Sequence, residues 1–326
     1  MRILTFPGHE PIFSELMEKW LNLGHDVGLV MNKHTRKWDE RIAKIPEGTS
    51  LNPKEKPDII YCSSHSKTLI YVLMQKFRRL WFNVPIVTTH YWFPDRRALP
   101  LYYMVNHTSV SKYAANYLKG ISGLSSRIIY PPVDTDFFRP KKTKHRKTAT
   151  IIGNNFRQRS GKGKSKDIMG TDHLLKILNL VHEMDPEIKL IVNGHNPDLE
   201  VPPFVKKSFF EGDYKTGLQK LIVNSSCLFF TVTRNPSSMH SLLYALSCGA
   251  FPVLWDIPPY HEMMRNGKSA YIIENFNERK FAEKIVEICN KPNKINKLGR
   301  NSVIEKCESK MVAKQFIDFF EDILPK

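Results

Sequence analysis

Residues 139–166 carry eleven Lys and Arg and no Asp or Glu. Within them, residues 154–167 read NNFRQRSGKGKSKD, with five cations and two glycines. Glycine backbone that can turn its N–H groups inward, ringed by Lys and Arg donors, is chemistry suited to a diphosphate. Gly153, Arg157, Lys162, Lys164 and Lys166 are the candidate ligands, and a solvated surface loop is the plainer alternative. No G-x-x-x-x-G-K-[ST] is present, so this is not a Walker loop. Other groups stand where a strand ends or a helix begins. Gly8, beside His9 in FPGHEP, lets backbone N–H groups approach a phosphate or a sugar, or simply makes a turn. Asn193 and Gly194 end a strand. His90 follows PIVTTH, where an imidazole can hydrogen-bond a hydroxyl or move a proton, although a lone histidine there is more often structural. Ser237, Ser238, Met239 and His240 open a helix, whose free N–H groups and partial positive charge suit a sugar or a phosphate. A serine N-cap before a core helix explains the same residues.

These groups are positioned by short β-rich runs alternating with helical periodicity. Residues 2–6, 26–31, 58–62 and 85–89 read as strands, with helices at 11–23 and 67–81. A second series follows, with strands at 148–153, 189–194, 227–233, 251–256 and 270–274. Its helices are at 171–184, 216–224 and 237–248, and the tail from 277 is helical, ending in 311–324. Such alternation calls for right-handed βαβ crossovers and parallel sheets. The chain is therefore α/β, with two doubly wound halves that meet near 132–148. The first domain is taken as 1–135 and the second as 148–306.

The length of 326 residues favours two domains, and 41% hydrophobic residues can fill real cores. No run approaches the roughly 20 apolar residues of a membrane span. The first residues read as a strand and not as a signal peptide. Five cysteines without a C-x-x-C pair argue against zinc and redox motifs and fit reduced thiols in a cytoplasm. The net charge of +17 seeks an anionic partner: ligand phosphates, a lipid surface or nucleic acid. KFRRLWF (76–82) and VPPFVKKSFF (201–210) mix cations with aromatics, as a face lying on an anionic membrane does. A helix end with a core-facing aromatic side is the plainer reading of either.

RIIYPPVDTDFFRP (127–140) is a stiff exit from the first half: prolines fix φ, and Phe137 or Phe138 can anchor the linker. As a string it resembles the interdomain signature of the retaining glycosyltransferases of family 4, in the GT-B group. LNLGHDVGLV (21–30), SVSKYAANYL (109–118), KLIVNGH (189–195), FFEGDYKTGLQKLIVNSSCLFFTVTR (209–234) and YALSCGAFPVLWDIPPYHEMMRNGKSAYII (244–273) resemble further family segments in the same order. The family's two glutamates are replaced here by Pro236 and Tyr244, and its Lys-Gly near the diphosphate by Met169-Gly170.

The resemblance implies a GT-B fold, two Rossmann-like domains with an interdomain cleft and a C-terminal helix (307–326) returning to the first domain. It implies a glycosyltransferase moving a sugar from a nucleotide-sugar, UDP- or GDP-linked, to an acceptor hydroxyl, with retention and with neither metal nor other cofactor. The second domain would hold the nucleotide, with Tyr244 at the ribose, and the first the acceptor. His90 would face the donor sugar, as would the 237–240 turn. The acceptor expected is a lipid-linked or polymeric glycan, on a cytoplasmic protein that is peripheral at a membrane. Two alternatives stand beside it: glucosylation of modified DNA, and nucleotide-sugar binding without turnover.

Overall fold

The computed structural model describes residues 1–6, 10–31, 40–46, 56–91, 94, 96–141, 147–152, 170–194, 199–208, 214–234, 240–291 and 295–325. They form two compact units, one from Met1–Asp134 and Lys306–Lys326, the other from Thr135–Asn235 and Met239–Glu305.

The first unit holds strands β1 (Arg2–Thr5), β2 (Asp26–Met31), β3 (Ala43–Pro46), β4 (Ile59–Ser63), β5 (Ile86–His90), β6 (Asn106–Ser109) and β7 (Arg127–Ile128). Its helices are α1 (Glu10–Asn22), α2 (Ser66–Arg78), α3 (Leu99–Tyr102) and α4 (Lys112–Ser122). Among the described residues the sheet runs β3-β2-β1-β4-β5-β6-β7, all pairs parallel. Both faces are covered, so the strands read as continuous apolar runs rather than alternating ones. Alternate residues nevertheless feed different cores. Ile59, Tyr61, Val87 and Tyr91 join Phe13, Trp20, Phe316 and Phe320 on one face. Ile60, Cys62 and Ile86 join Leu69, Val72, Trp81 and Tyr102 on the other.

The second unit contains β8 (Thr148–Ile152), α5 (Thr171–Met184), β9 (Lys189–Asn193), β10 (Val205–Ser208), α6 (Tyr214–Val223), β11 (Cys227–Phe230), α7 (His240–Ser247), β12 (Pro252–Trp255), β13 (Tyr271–Ile273) and α8 (Glu278–Cys289). Its parallel sheet runs β10-β9-β8-β11-β12-β13. The segment 201–210, read from sequence as a basic-aromatic face or a helix end, instead supplies β10, paired to β9. Lys206 and Lys207 are exposed there, as befits an edge strand that must discourage further pairing.

Two more helices close the chain, α9 (Lys297–Cys307) and α10 (Ser309–Ile323). Glu308 caps α10 by accepting from the N–H groups of Lys310 and Met311 at 3.1 and 2.9 Å. Helix α10 packs on α1 in the first unit, where Trp20 Nε1 donates to the Ala313 carbonyl at 3.2 Å. Phe316 meets Trp20 and Tyr61 edge-on at 5.9 and 5.3 Å. The linker after Val133 is tied down within the second unit. The Arg300 guanidinium donates to the carbonyls of Thr135 (3.2 Å), Phe138 (3.1 Å) and Ser247, and Phe138 is buried.

Candidate functional site

In an open parallel sheet, ligands bind beyond the carboxyl ends of the strands, where the strand order reverses. In the second unit that point lies between β8 and β11. Helix α5 begins there. Its N-cap, Gly170, has φ +68, a left-handed conformation that glycine adopts without strain. A Cβ on Gly170 would lie 2.9 Å from the Thr231 carbonyl carbon and 3.2 Å from Thr233 Cγ2, and nearer still to the Thr231 oxygen. Glycine therefore lets the helix N-terminus sit directly on the backbone leaving β11. The first N–H groups of this fourteen-residue helix have no acceptor within the helix, and the positive end of the helix dipole lies behind them.

Two buried polar groups stand at the ends of elements on this side of the sheet. Asn193 ends β9, in register with Ile152 at the end of β8. Its Nδ2 donates to the Ser208 carbonyl at 3.0 Å, while its buried Oδ1 has no hydrogen-bond partner among the described residues. The buried Thr171 hydroxyl, in the first turn of α5, is unpartnered in the same sense. Buried polar atoms rarely stay unpaired without a reason such as a ligand or a water. Gly194 follows Asn193, and its N–H reaches Ser208 O at 3.4 Å.

Of the residues expected from sequence, Gly8, His9, Gly153, Arg157, Lys162, Lys164, Lys166, Ser237, Ser238 and Met239 lie outside the described residues, as do Pro236 and Met169. His240 opens α7 and is buried. Tyr244, one turn on, is 3% exposed, and its ring stacks on Phe138 at 4.1 Å and 17°. The position that the resemblance matches to a ribose-binding glutamate is thus packed against the linker aromatic.

His90 ends β5 in the first unit and is fully buried. Its tautomer follows from its neighbours. The Tyr102 carbonyl only accepts, so His107 Nε2 must donate to it, at 2.8 Å. A neutral His107 then has a bare Nδ1, which accepts from His90 Nε2–H at 3.0 Å. His90 Nδ1 is left as a bare lone pair, buried and without a partner among the described residues. Burial, with the nearby His107 adding to it, lowers the His90 pKa to about 3, and burial lowers that of His107 as well. His90 is therefore an acceptor held neutral, and not an acid at ordinary pH. On the opposite face of the same sheet a hydroxyl chain runs Thr108–Thr89–Tyr61–Tyr91, with links of 2.7, 2.8 and 2.7 Å.

Sequence reasoning missed His107, Tyr102 and Thr171. Nothing in the sequence marks His107, seventeen residues from His90. Thr171 was signalled only by the glycine before it. A cavity of about 490 Å³ lies at the amino ends of β8 and β9, lined by Lys147, Lys189, Phe204 and Lys206 among others. That is the edge opposite the switch point, and Lys147 there is already engaged by Glu187 at 2.9 Å. No helix among the described residues is long and apolar enough to cross a membrane.

Compared by sequence, the chain matches no family model and no curated protein. Compared by structure, it is similar over nearly its whole length to known glycosyltransferases. Anabaena Alr3699/HepE, solved with UDP and glucose, superposes with a TM-score of 0.77 at 13% identity, covering 98% of this chain and 99% of that one. A glycosyltransferase from Rickettsia africae ESF-5 gives 0.75 at 15%, covering 100% and 99%. The lipopolysaccharide outer core galactosyltransferase WaaB gives 0.69 at 15%, covering 99% and 100%. The fold is GT-B. Its two Rossmann-like halves are the two units described above, and its neighbours are glycosyltransferases.

Proposed function

We propose that the protein transfers a sugar from a nucleoside-diphosphate sugar, UDP- or GDP-linked, to an acceptor hydroxyl, with retention and without a metal ion. The observation that carries this reading is the seating of the α5 N-terminus on the backbone leaving β11 through Gly170, with the Thr171 hydroxyl of its first turn and the Asn193 oxygen at the end of β9 both buried and unpartnered among the described residues. A diphosphate leaving group there would meet oriented N–H donors as its negative charge grows, the kind of preorganised stabilisation on which such transfer depends. The candidate cations Arg157, Lys162, Lys164 and Lys166, in the same half of the chain, would add charge-assisted donors. HepE holding UDP and glucose supports a UDP-linked donor. The lipopolysaccharide named for WaaB supports a lipid-linked glycan as the acceptor.

A second reading, nucleotide-sugar binding without turnover, is favoured by one feature: Tyr244 stands at a glutamate position and is buried in a stack. Incubation with UDP-, GDP- and ADP-sugars, scored for free nucleotide, separates the two. Turnover of at least one donor supports transfer. Tight binding with no release over hours supports the binding module, and no binding of any nucleotide removes both.

A further inference from the structure

Helix α2 is apolar on two sides. Leu69, Val72 and Leu73 face the core of the first unit. Ile70, Met74 and Phe77, at i, i+4 and i+7, form a second stripe and are 47, 44 and 48% exposed. The stripe continues past the helix. Phe82 is 55% exposed and its ring lies 6.0 Å from that of Phe77. Between them Leu80 is 73% exposed.

Leu80 is held there at a conformational cost. The helix ends in a Schellman turn: the Trp81 N–H bonds the Lys76 carbonyl at 3.1 Å, and the Leu80 N–H bonds the Phe77 carbonyl at 3.2 Å. That turn gives Leu80 a φ of +56, the position where glycine is usual. A large apolar side chain is thus kept in solvent at a strained position, although glycine would fit it better, and retained strain of this kind points toward function. Trp81, next in the chain, is buried and anchors the corner.

Cations border the stripe. At 100° per residue, Lys67 and Arg78 fall about 70° to one side of it. The exposed Arg96 lies in the 3₁₀ turn that packs on α2. Across residues 59–133 there are nine Lys and Arg against a single acid, Asp95.

We propose that this face of α2, with Leu80 and Phe82, docks on an anionic phospholipid surface. The apolar side chains would enter the headgroup boundary while Lys67, Arg78 and Arg96 meet lipid phosphates. Five exposed apolar side chains in one patch favour a bilayer over nucleic acid, which would be met by cations and stacking aromatics and has no use for Ile70, Met74 or Leu80. The proposal goes beyond sugar transfer and does not depend on it.

The test is flotation of the full chain with vesicles of phosphatidylcholine alone, or of phosphatidylcholine with an equal part of phosphatidylglycerol, at low and high salt. Binding is expected to the mixed vesicles at low salt and to weaken about tenfold at high salt. The combined change Phe77→Ser, Leu80→Ser, Phe82→Ser should weaken it at least about tenfold. Leu80→Gly is the control for folding: its thermal midpoint should hold or rise, while its vesicle affinity falls severalfold. The double change Lys206→Gln, Lys207→Gln, on β10, alters charge without touching the patch and should leave flotation unchanged. Failure to float with the mixed vesicles overturns the proposal, as does a triple variant that floats like the parent. Retention of duplex DNA that the same variants abolish, without flotation, would reassign the face to nucleic acid. Nucleotide release measured without lipid reports on sugar transfer separately, so either idea can fail alone.

Discussion

Stability in mild acid should expose the histidine pair of the first unit. His90 is fully buried, donates to His107 and keeps a bare Nδ1, and burial holds its pKa near 3. In the unfolded chain it titrates near 6.5. Below that pH the unfolded state binds a proton that the native state refuses, so stability falls as pH drops and levels off only below about 3. The slope approaches 1.36 kcal/mol per pH unit for one such site. At pH 5, about 1.5 units below the unfolded value, His90 alone should cost about 2 kcal/mol. His107, lowered in the same direction, adds to it. Urea unfolding of the parent at pH 7, 6 and 5, set against His90→Phe, isolates this contribution from the other histidines. The variant should lose about 2 kcal/mol less between pH 7 and 5. Long-range nitrogen–proton NMR of the imidazoles should show both rings neutral and protonated on Nε2. A His90 that titrates near 6.5, or a parent and variant with the same pH slope, would refute the buried relay.

Gly170→Ala should destabilise the second unit by about 2–5 kcal/mol, from the left-handed backbone and the overlap with Thr231. The readout is thermal unfolding, and a midpoint within a degree of the parent would show that α5 does not seat as described. Tyr244→Glu should place a carboxylate in the Phe138 stack and cost about 3–5 kcal/mol. Full stability with tighter UDP binding, by calorimetry, would show instead that the side chain reaches ribose.

The βαβ alternation was legible because it rests on local periodicity, and the strands at 26–31 and 148–153 and the helix at 171–184 lie where the sequence places them within a residue. β3 and β10 were not legible. They are four-residue edge strands, and β10 reads VKKS, so the pattern that marks a buried strand is missing. At the site, Gly170 could be singled out from sequence, but its necessity could not, because it depends on the Thr231 carbonyl sixty-one residues away.

By itself the sequence determined two α/β halves, a strongly cationic join and the residues that end strands or open helices. Those follow from composition and from repeats of two and 3.6 residues, which each segment carries alone. Only the tertiary structure decided which face each of those residues meets. His90 and Thr89 are neighbours in β5, yet one joins His107 and Tyr102 and the other a chain of hydroxyls on the far side of the sheet. With both faces buried, hydropathy does not distinguish them. Likewise, the bond from Trp20 to Ala313 spans 293 residues and forms only once α10 lies on α1. Contacts of that kind are set by packing across the sheet, and no local pattern encodes them.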